Sequence, residues 1–498
     1  MLNFNRYTMK KLDIKIKLLI IILISITVSC SDDFVDVESN AENSEDFFNS
    51  EDDYQRALTG AYDLLQSTYL NVMLGEIASD NTLAGGESAT DVIGIQEVDD
   101  MIHTPVNQQL RDIWGWMFSG VNRANYILEF QDKTDFTGKN VVLAQARFLR
   151  AYYYFELVKW FGDVPLIVDK RFQFGDQFTV DRTPKAEIYA QIEADLIFAA
   201  DNLPAVQTEQ GRITKGAAQA LLGKAYLYQD KFAEAAQVLD LVIAGPYDLV
   251  TDYAAIWEEA GENGIESVFE VQYTDKEGAG FACLQCSEGN VAVGFSGIRA
   301  YSGPDFSSGF SFNVPVQEAY DAFANDDLRR DIAILDIDAW ATQTGATFAT
   351  GFEHTGYFNR KYIPRTRSSS AQGDLNLTNP NNYRSIRFAD VLLMAAEAYN
   401  RGGISDNTAQ QYLNRVRRRA FGDMAHDIIS TGSNLTGDIY AERRLELVGE
   451  GHRFFDLVRT GRAAQEINGF VTGKHEVFPI PQIEIELAGN RWAQNPNY

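Results

Sequence analysis

The chain has 498 residues, with 43 Lys+Arg against 70 Asp+Glu and a net charge of −27. Apolar residues at 45% and aromatics at 12% are globular proportions, so wholesale disorder is excluded. The surplus of acid excludes a nucleic-acid binder, which needs clustered Lys and Arg against phosphate, and disfavours simple attraction to anionic lipid.

In chain order, the first element is an address. Arg6, Lys10, Lys11, Lys15 and Lys17 precede an apolar run from Leu18 to Val28. This run is too short for a hydrocarbon core about 30 Å thick and reads as a secretory signal over 1–29. Thr27-Val28-Ser29-Cys30 resembles a loose bacterial lipobox, which makes Cys30 the expected lipid attachment. Ser31-Asp32-Asp33 resembles the acidic signal that sends Bacteroidetes lipoproteins to the cell surface. Residues 30–50 are polar, acidic and without periodicity, as expected of a solvated tether. Loss of the leader makes the mature chain still more acidic.

The body, 51–498, is expected to be mainly α: one domain of helical hairpins with long irregular insertions and few short strands. Trp114 and Trp116 fall in a helical pattern with Phe118, Val121 and Tyr126, and read as core. Ala146, Leu149, Tyr153, Leu157 and Trp160 mark one face of a long helix that Gly162 and Pro165 should stop. Thr183-Pro184 reads as an N-cap followed by Pro at the first helical position, opening a helix with Ile188, Ile192, Leu196 and Ala199 inside. From Lys215 to Ile243, Leu222, Gly223, Tyr226 and Ala235 resemble a tetratricopeptide (TPR) hairpin, with Gln219 at the position usually held by Trp. There Gly223 and Ala235 should let two helices approach while Tyr226 fills the groove. Phe388, Leu392, Ala395 and Tyr399 begin another pair, which Leu413, Val416 and Ala420 continue. The helical blocks thus run about 51–245 and 383–465. Between them, 246–382 holds a short strand near Glu266–Tyr273, a Gly/Ser/Phe-rich stretch from Lys276 to about Asn313, and an irregular stretch from Ala339 to Asn382. Loops this long are often functional, so the ligand face is expected there.

Five stretches resemble the SusD/RagB family of outer-membrane lipoproteins, in that family's order. They are Ala146 to Phe155 (ARFLRAYYYF) with Gly162 to Pro165 (GDVP), Asn382 to Ala398 (NYRSIRFADVLLMAAEA), Glu442 to Arg453 (ERRLELVGEGHR) with Asp456 to Arg459 (DLVR), Phe478 to Pro481 (FPIP), and Gln494 to Tyr498 (QNPNY). The resemblance covers essentially the whole mature chain. It implies a TPR-based binding protein at the outer membrane that captures oligo- or polysaccharide. It also implies a SusC-like TonB-dependent barrel as the partner that takes the ligand inward. Alternatives are a peptide- or glycopeptide-binding subunit of the same kind of importer, and a TPR docking scaffold with no sugar site.

The signature residues themselves read as structure. Arg443 with Glu446, Glu450 with Arg453, and Arg453 with Asp456 are spaced to pair on a helix, and His452 sits among them. Arg415, Arg417, Arg418 and Arg419 read as a solvated helix face. An enzyme is not expected: His103, His354, His426, His452 and His475 lack HExxH spacing, and neither GxSxG nor GxxxxGK[ST] occurs. No cofactor is expected either; acidic loops leave Ca²⁺ open, but no EF-hand pattern supports it. Cys283 and Cys286 have no second ligand pair for a metal, and outside the cell they are expected to form a local disulfide. A neutral glycan is the expected ligand, bound by aromatic faces beneath it and planar hydrogen-bonding groups at its rim. Loop residues with that chemistry are Asp80, Asn81, Tyr301, Phe306, Arg360 and Tyr383.

Overall fold

The computed structural model describes residues 47–498, apart from 279, 366–369 and 371. The leader, Cys30 and nearly all of the tether lie outside the described residues. Helices dominate: α1 (Glu51–Asp63), α2 (Tyr69–Ile77), α3 (Gln108–Glu129), α4 (Lys139–Phe161), α5 (Lys185–Asn202), α6 (Lys215–Leu227) and α7 (Phe232–Ile243) precede the insertion. Within it lies α8 (Ile337–Thr344), and beyond it come α9 (Phe388–Arg401), α10 (Asp406–Phe421), α11 (Gly432–Glu446) and α12 (Arg453–Arg459). Among the described residues, no helix is long and apolar enough to cross a membrane.

The array grows by neighbour packing. Helix α3 packs on α4, α4 on α5, α5 on α6, and α6 on α7; α7 then packs directly on α9, which meets α10 and α11. The two helical blocks are therefore one stack, and the insertion leaves and re-enters it as a loop would. Helix α4 is buried on nearly every side, from Val142 to Phe161, and Gly162 at φ +70° ends it. In the α6–α7 hairpin a Cβ on Gly223 would lie 2.5 Å from Leu239 Cδ2, so close approach does require glycine there. Leu239 fills the space assigned above to Tyr226, which is instead half-buried with Lys231 5.7 Å over its ring. Pro184 itself is the N-cap of α5, one residue later than the Thr183 cap expected, with φ −55° and ψ 137°.

The strands are short and pair two by two. Strand β1 (Thr82–Gly85) runs antiparallel to β3 (Phe312–Pro315), β2 (Ser267–Val271) to β6 (Tyr383–Arg387), and β4 (Ile334–Asp336) to β5 (Tyr357–Asn359). In the second pair Tyr383 faces Val271 and Arg384 faces Glu270, which fastens the start of the insertion to its end.

The charged signature pairs mainly across the fold, although Asp456 and Arg459 do pair along α12. Helix α11 ends at Glu446, and the turn to α12 passes through Gly449 and Gly451 at φ +79° and +80°. A Cβ on these glycines would meet Asn359 Oδ1 at 2.5 Å and Val72 O at 2.6 Å. The chain therefore reverses around Glu450, and most of the signature charges take distant partners. Arg387 Nη1 donates to Glu266 (2.7 Å) and Glu446 (2.8 Å), and its Nη2 to Glu450 (2.7 Å). Glu446 also accepts from Arg329 (2.9 Å) and Arg419 (2.6 Å), while Lys361 donates to Glu450 at 2.7 Å. Arg417 reaches Glu442, so Arg417 and Arg419 turn inward, and only Arg415 and Arg418 pair with exposed or half-exposed acids. In a second cluster Arg443 holds Asp390 and Asp456, Arg459 holds Glu397 and Asp456, and Lys224 lies 3.3 Å from His452 Nδ1.

Burial alone would raise the Glu446 carboxyl, but Arg419, Arg387 and Arg329 hold it well below the usual range. Removing one partner leaves the other charges buried and unpaired. Glu446→Ala is therefore expected to cost about 3–5 kcal/mol in a urea titration. Acid should act in two stages. Burial and neighbouring charge lower His452 and His103 to about 3, so each is neutral in the fold while the unfolded chain takes up a proton. Their contribution is present above about pH 6.5 and is lost as pH falls. Glu446, Glu450, Asp390 and Asp456 are depressed, and their contribution is lost only below about pH 4. The melting temperature should thus begin to fall below about pH 6.5 and fall more steeply below about pH 4 in a thermal-melt series.

Candidate functional site

Three of the six predicted ligand residues converge on one face of the insertion. Strand β4 leads into α8, whose N-terminus is capped by Asp336 accepting from Ala339 N at 2.9 Å. One turn on, Trp340 lies over a buried cluster that includes Ile298, Tyr301, Phe306, Leu335, Ile337 and Phe358. The indole is half-buried and fixed: Nε1 donates to the Tyr301 hydroxyl (2.9 Å), which donates to Pro304 O (2.7 Å). Phe306 meets Trp340 at 5.4 Å between ring centroids.

Two arginines border these rings. The Arg360 guanidinium is 5.5 Å from the Trp340 centroid and 5.9 Å from that of Phe306. Its Nη1 donates to Asp331 O at 2.8 Å. Arg365 lies 5.5 Å over Phe306 and donates from Nε to Glu258 at 3.0 Å. Burial pulls Arg360 below its usual value while Asp305, Glu258 and Asp331 oppose that shift, and a guanidinium stays charged in either case. The result is a half-open Trp face with planar donors at one edge and the exposed acids Asp305 and Asp338 nearby in sequence. Such a surface can stack on an apolar ring face and hydrogen-bond a rim of hydroxyls.

Tyr301 and Phe306 are thus the floor of this surface, 8% and 6% exposed, and Arg360 is its edge. The other three residues lie elsewhere, and their polar atoms are engaged within the fold. Asp80 holds Arg453 through both oxygens (2.7 and 2.8 Å) and Arg444 at 3.3 Å; burial would raise its carboxyl, but Arg453 brings it below the usual range. Asn81 is fully buried, accepts from Arg444 Nε (2.9 Å), and its carbonyl accepts from Val316 N. Tyr383 is 7% exposed and donates to Glu450 O at 3.1 Å. These three join β1 and β6 to the α11–α12 turn and are not brought together with the Trp340 face. Trp340 was not among the predicted residues; a lone Trp at the start of the second irregular stretch was the available signal. Trp114 is buried, and Trp116 is half-buried against Tyr69. Cys283 and Cys286 are disulfide-bonded in an exposed loop. No group of three or more His, Cys, Asp or Glu suited to a metal occurs among the described residues.

Comparison with known proteins places these features. The family model described as "SusD family" matches residues 336–498, and the one described as "Starch-binding associating with outer membrane" matches 33–227. The chain is 28% identical to SusD-like protein P2 of Formosa agariphila, over 91% of this chain and 94% of the relative. It is 35% identical to a solved laminarin-binding SusD-like protein, covering 91% of this chain and all of that one, with a TM-score of 0.82. Surface glycan-binding protein A from Bacteroides thetaiotaomicron, solved in complex with laminarihexaose, is 28% identical over 90% of this chain and all of that one, with a TM-score of 0.79.

Proposed function

The chain belongs to the SusD family, and we propose that it captures a neutral, laminarin-type glucan at the cell surface on the Trp340–Arg360 face. It is a binding protein associated with the outer membrane, not an enzyme. The observation that carries the ligand reading is the indole of Trp340, half-buried over an aromatic cluster beside Arg360 and fixed at its nitrogen. The likeness to a laminarin-binding protein over the full length of that protein supports the choice of glucan. Delivery to a SusC-like TonB-dependent barrel and anchorage through lipid on Cys30 complete the reading, supported by family membership and by the basic–apolar–Cys pattern of the leader.

Affinity electrophoresis through laminarin tests the ligand. Wild-type protein should be retarded, while Trp340→Ala should lose at least about tenfold in affinity, as expected for a buried-edge Trp contact. Unchanged retardation would overturn the assignment to this face. Retention only by an acidic polysaccharide would overturn the neutral ligand. Anchorage is tested by fractionation: Cys30→Ser should move the protein from the membrane fraction to the soluble one, and persistence in the membrane would refute a lipid on Cys30.

A further inference from the structure

Beyond the segment that supplies Glu258 to Arg365 lies a second concave region that the Trp340 face does not use. It has two lobes of about 380 and 290 Å³, which share Gln210, Gly211, Arg212 and Glu270 as a common wall. The combined size falls in the range of small-ligand sites, roughly 300–1,000 Å³. The wall is built, not incidental. Gly211 adopts φ +84°, and a Cβ there would lie 2.6 Å from Gln272 Cγ, so the 207–212 loop rests directly on β2's continuation. Gln272 and Asn263 exchange amide hydrogen bonds of 2.9 and 3.0 Å, and Glu270 accepts from Asn263 N at 3.0 Å.

Each lobe also has a fixed aromatic ring. Tyr62 donates to Gln145 (2.7 Å), accepts from Ile213 N (3.0 Å), and carries the Arg212 guanidinium 5.1 Å over its ring. Tyr247 is held 3.1 Å from the Thr214 hydroxyl and stacks on Phe388. Gln210 stands exposed between the lobes. Amides, hydroxyls and one guanidinium on tyrosine faces suit the hydroxyl rim and apolar faces of a sugar. A single arginine already paired with Glu209 does not suit a phosphate ligand. The lobes and the Trp340 face are linked through one short segment. Glu258 pairs with Arg365 beside the Trp340 face, Asn263 lines a lobe, and the five-residue step between them spans at most about 17 Å.

We propose that this cleft is a second glycan station, which holds a further stretch of the same neutral chain bound at Trp340. The inference rests on the glucan reading above and extends it to long ligands. Binding at two linked stations strengthens capture of a polymer without altering capture of a fragment that reaches only one.

The test is calorimetry with laminarin and with laminaritriose on wild-type protein, Trp340→Ala, and the double variant Gln210→Ala/Arg212→Ala. Both cleft positions are at least partly exposed, so an unchanged melting temperature can confirm that the double variant folds. The expected result is that the double variant binds laminarin roughly tenfold more weakly and keeps its affinity for laminaritriose at the Trp340 face. If the double variant keeps wild-type affinity for laminarin while Trp340→Ala loses it, the second station is refuted and the Trp340 reading stands. If neither variant weakens laminarin binding, both readings fall.

Discussion

Glu446 is the residue on which the architecture converges. Its carboxylate, fully buried at the end of α11, accepts from Arg329 of the insertion, Arg387 at the end of β6 and Arg419 of α10. Glu450, four residues on, takes Arg387 again and Lys361. Burying this much charge is expensive, and mutual attraction repays it only if nearly every donor and acceptor is paired. That condition fixes the positions of four chain segments at once. The cluster adds to the β1–β3 pairing, which joins the middle of the insertion to the first helical block, and to the β2–β6 pairing near its ends.

This arrangement explains how the proposed ligand face can be held in the least regular part of the chain. The Trp340 surface is carried by short strands and a two-turn helix, which have little stability of their own. Beneath them, Lys361 and Arg329 anchor the same stretch of chain to the α11 turn, and Ile363, Phe358 and Leu335 close an apolar cluster under the indole. The aromatic face is therefore preorganised, and little ordering entropy has to be lost when a ligand binds. The signature charges pair with one another inside the fold, as a structural network does.

The legible part of the sequence was the part governed by local rules. The periodicity of Ala146 to Trp160 and of Phe388 to Tyr399 gave two helices, because a buried helix face repeats at 3.6 residues wherever it packs. The pairing of Arg443, Glu450 and Arg453 differs from the local rule because i,i+3 spacing counts neighbours on one helix and not the charges that other segments bring. Gly449 and Gly451 interrupt the helix only around Glu450. Arg443 and Glu446 share α11, and Arg453 and Asp456 share α12, yet Arg443, Glu450 and Arg453 are taken by Asp390, Arg387 and Asp80 from distant parts of the chain. Asp80, Asn81 and Tyr383 lie apart from the Trp340 face, engaged by partners from distant segments. Residue chemistry alone does not distinguish a polar group that awaits a ligand from one that a distant arginine or carbonyl has already satisfied. Tyr301, Phe306 and Arg360 came together because sugar-binding chemistry and core chemistry use the same rings, one layer apart.

The same geometry bears on the sign of the ligand's charge. A net charge of −27 leaves room for an anionic glycan only if some local patch reverses it, and Arg360 is the residue placed to do so. Its surroundings argue against that reversal. Asp305, Glu258 and Asp331 all act on the guanidinium, Glu258 is also bound to Arg365, and Asp338 is exposed on the helix that carries Trp340. The two arginines at the aromatic face are thus balanced by at least as many acids within the same cluster. An approaching polyanion would meet no net positive field, and the general field of the protein would repel it. Planar donors held beside a Trp face and screened by acids serve a ligand that is recognised by its hydroxyls and its shape. That is the chemistry of the uncharged glucan proposed above.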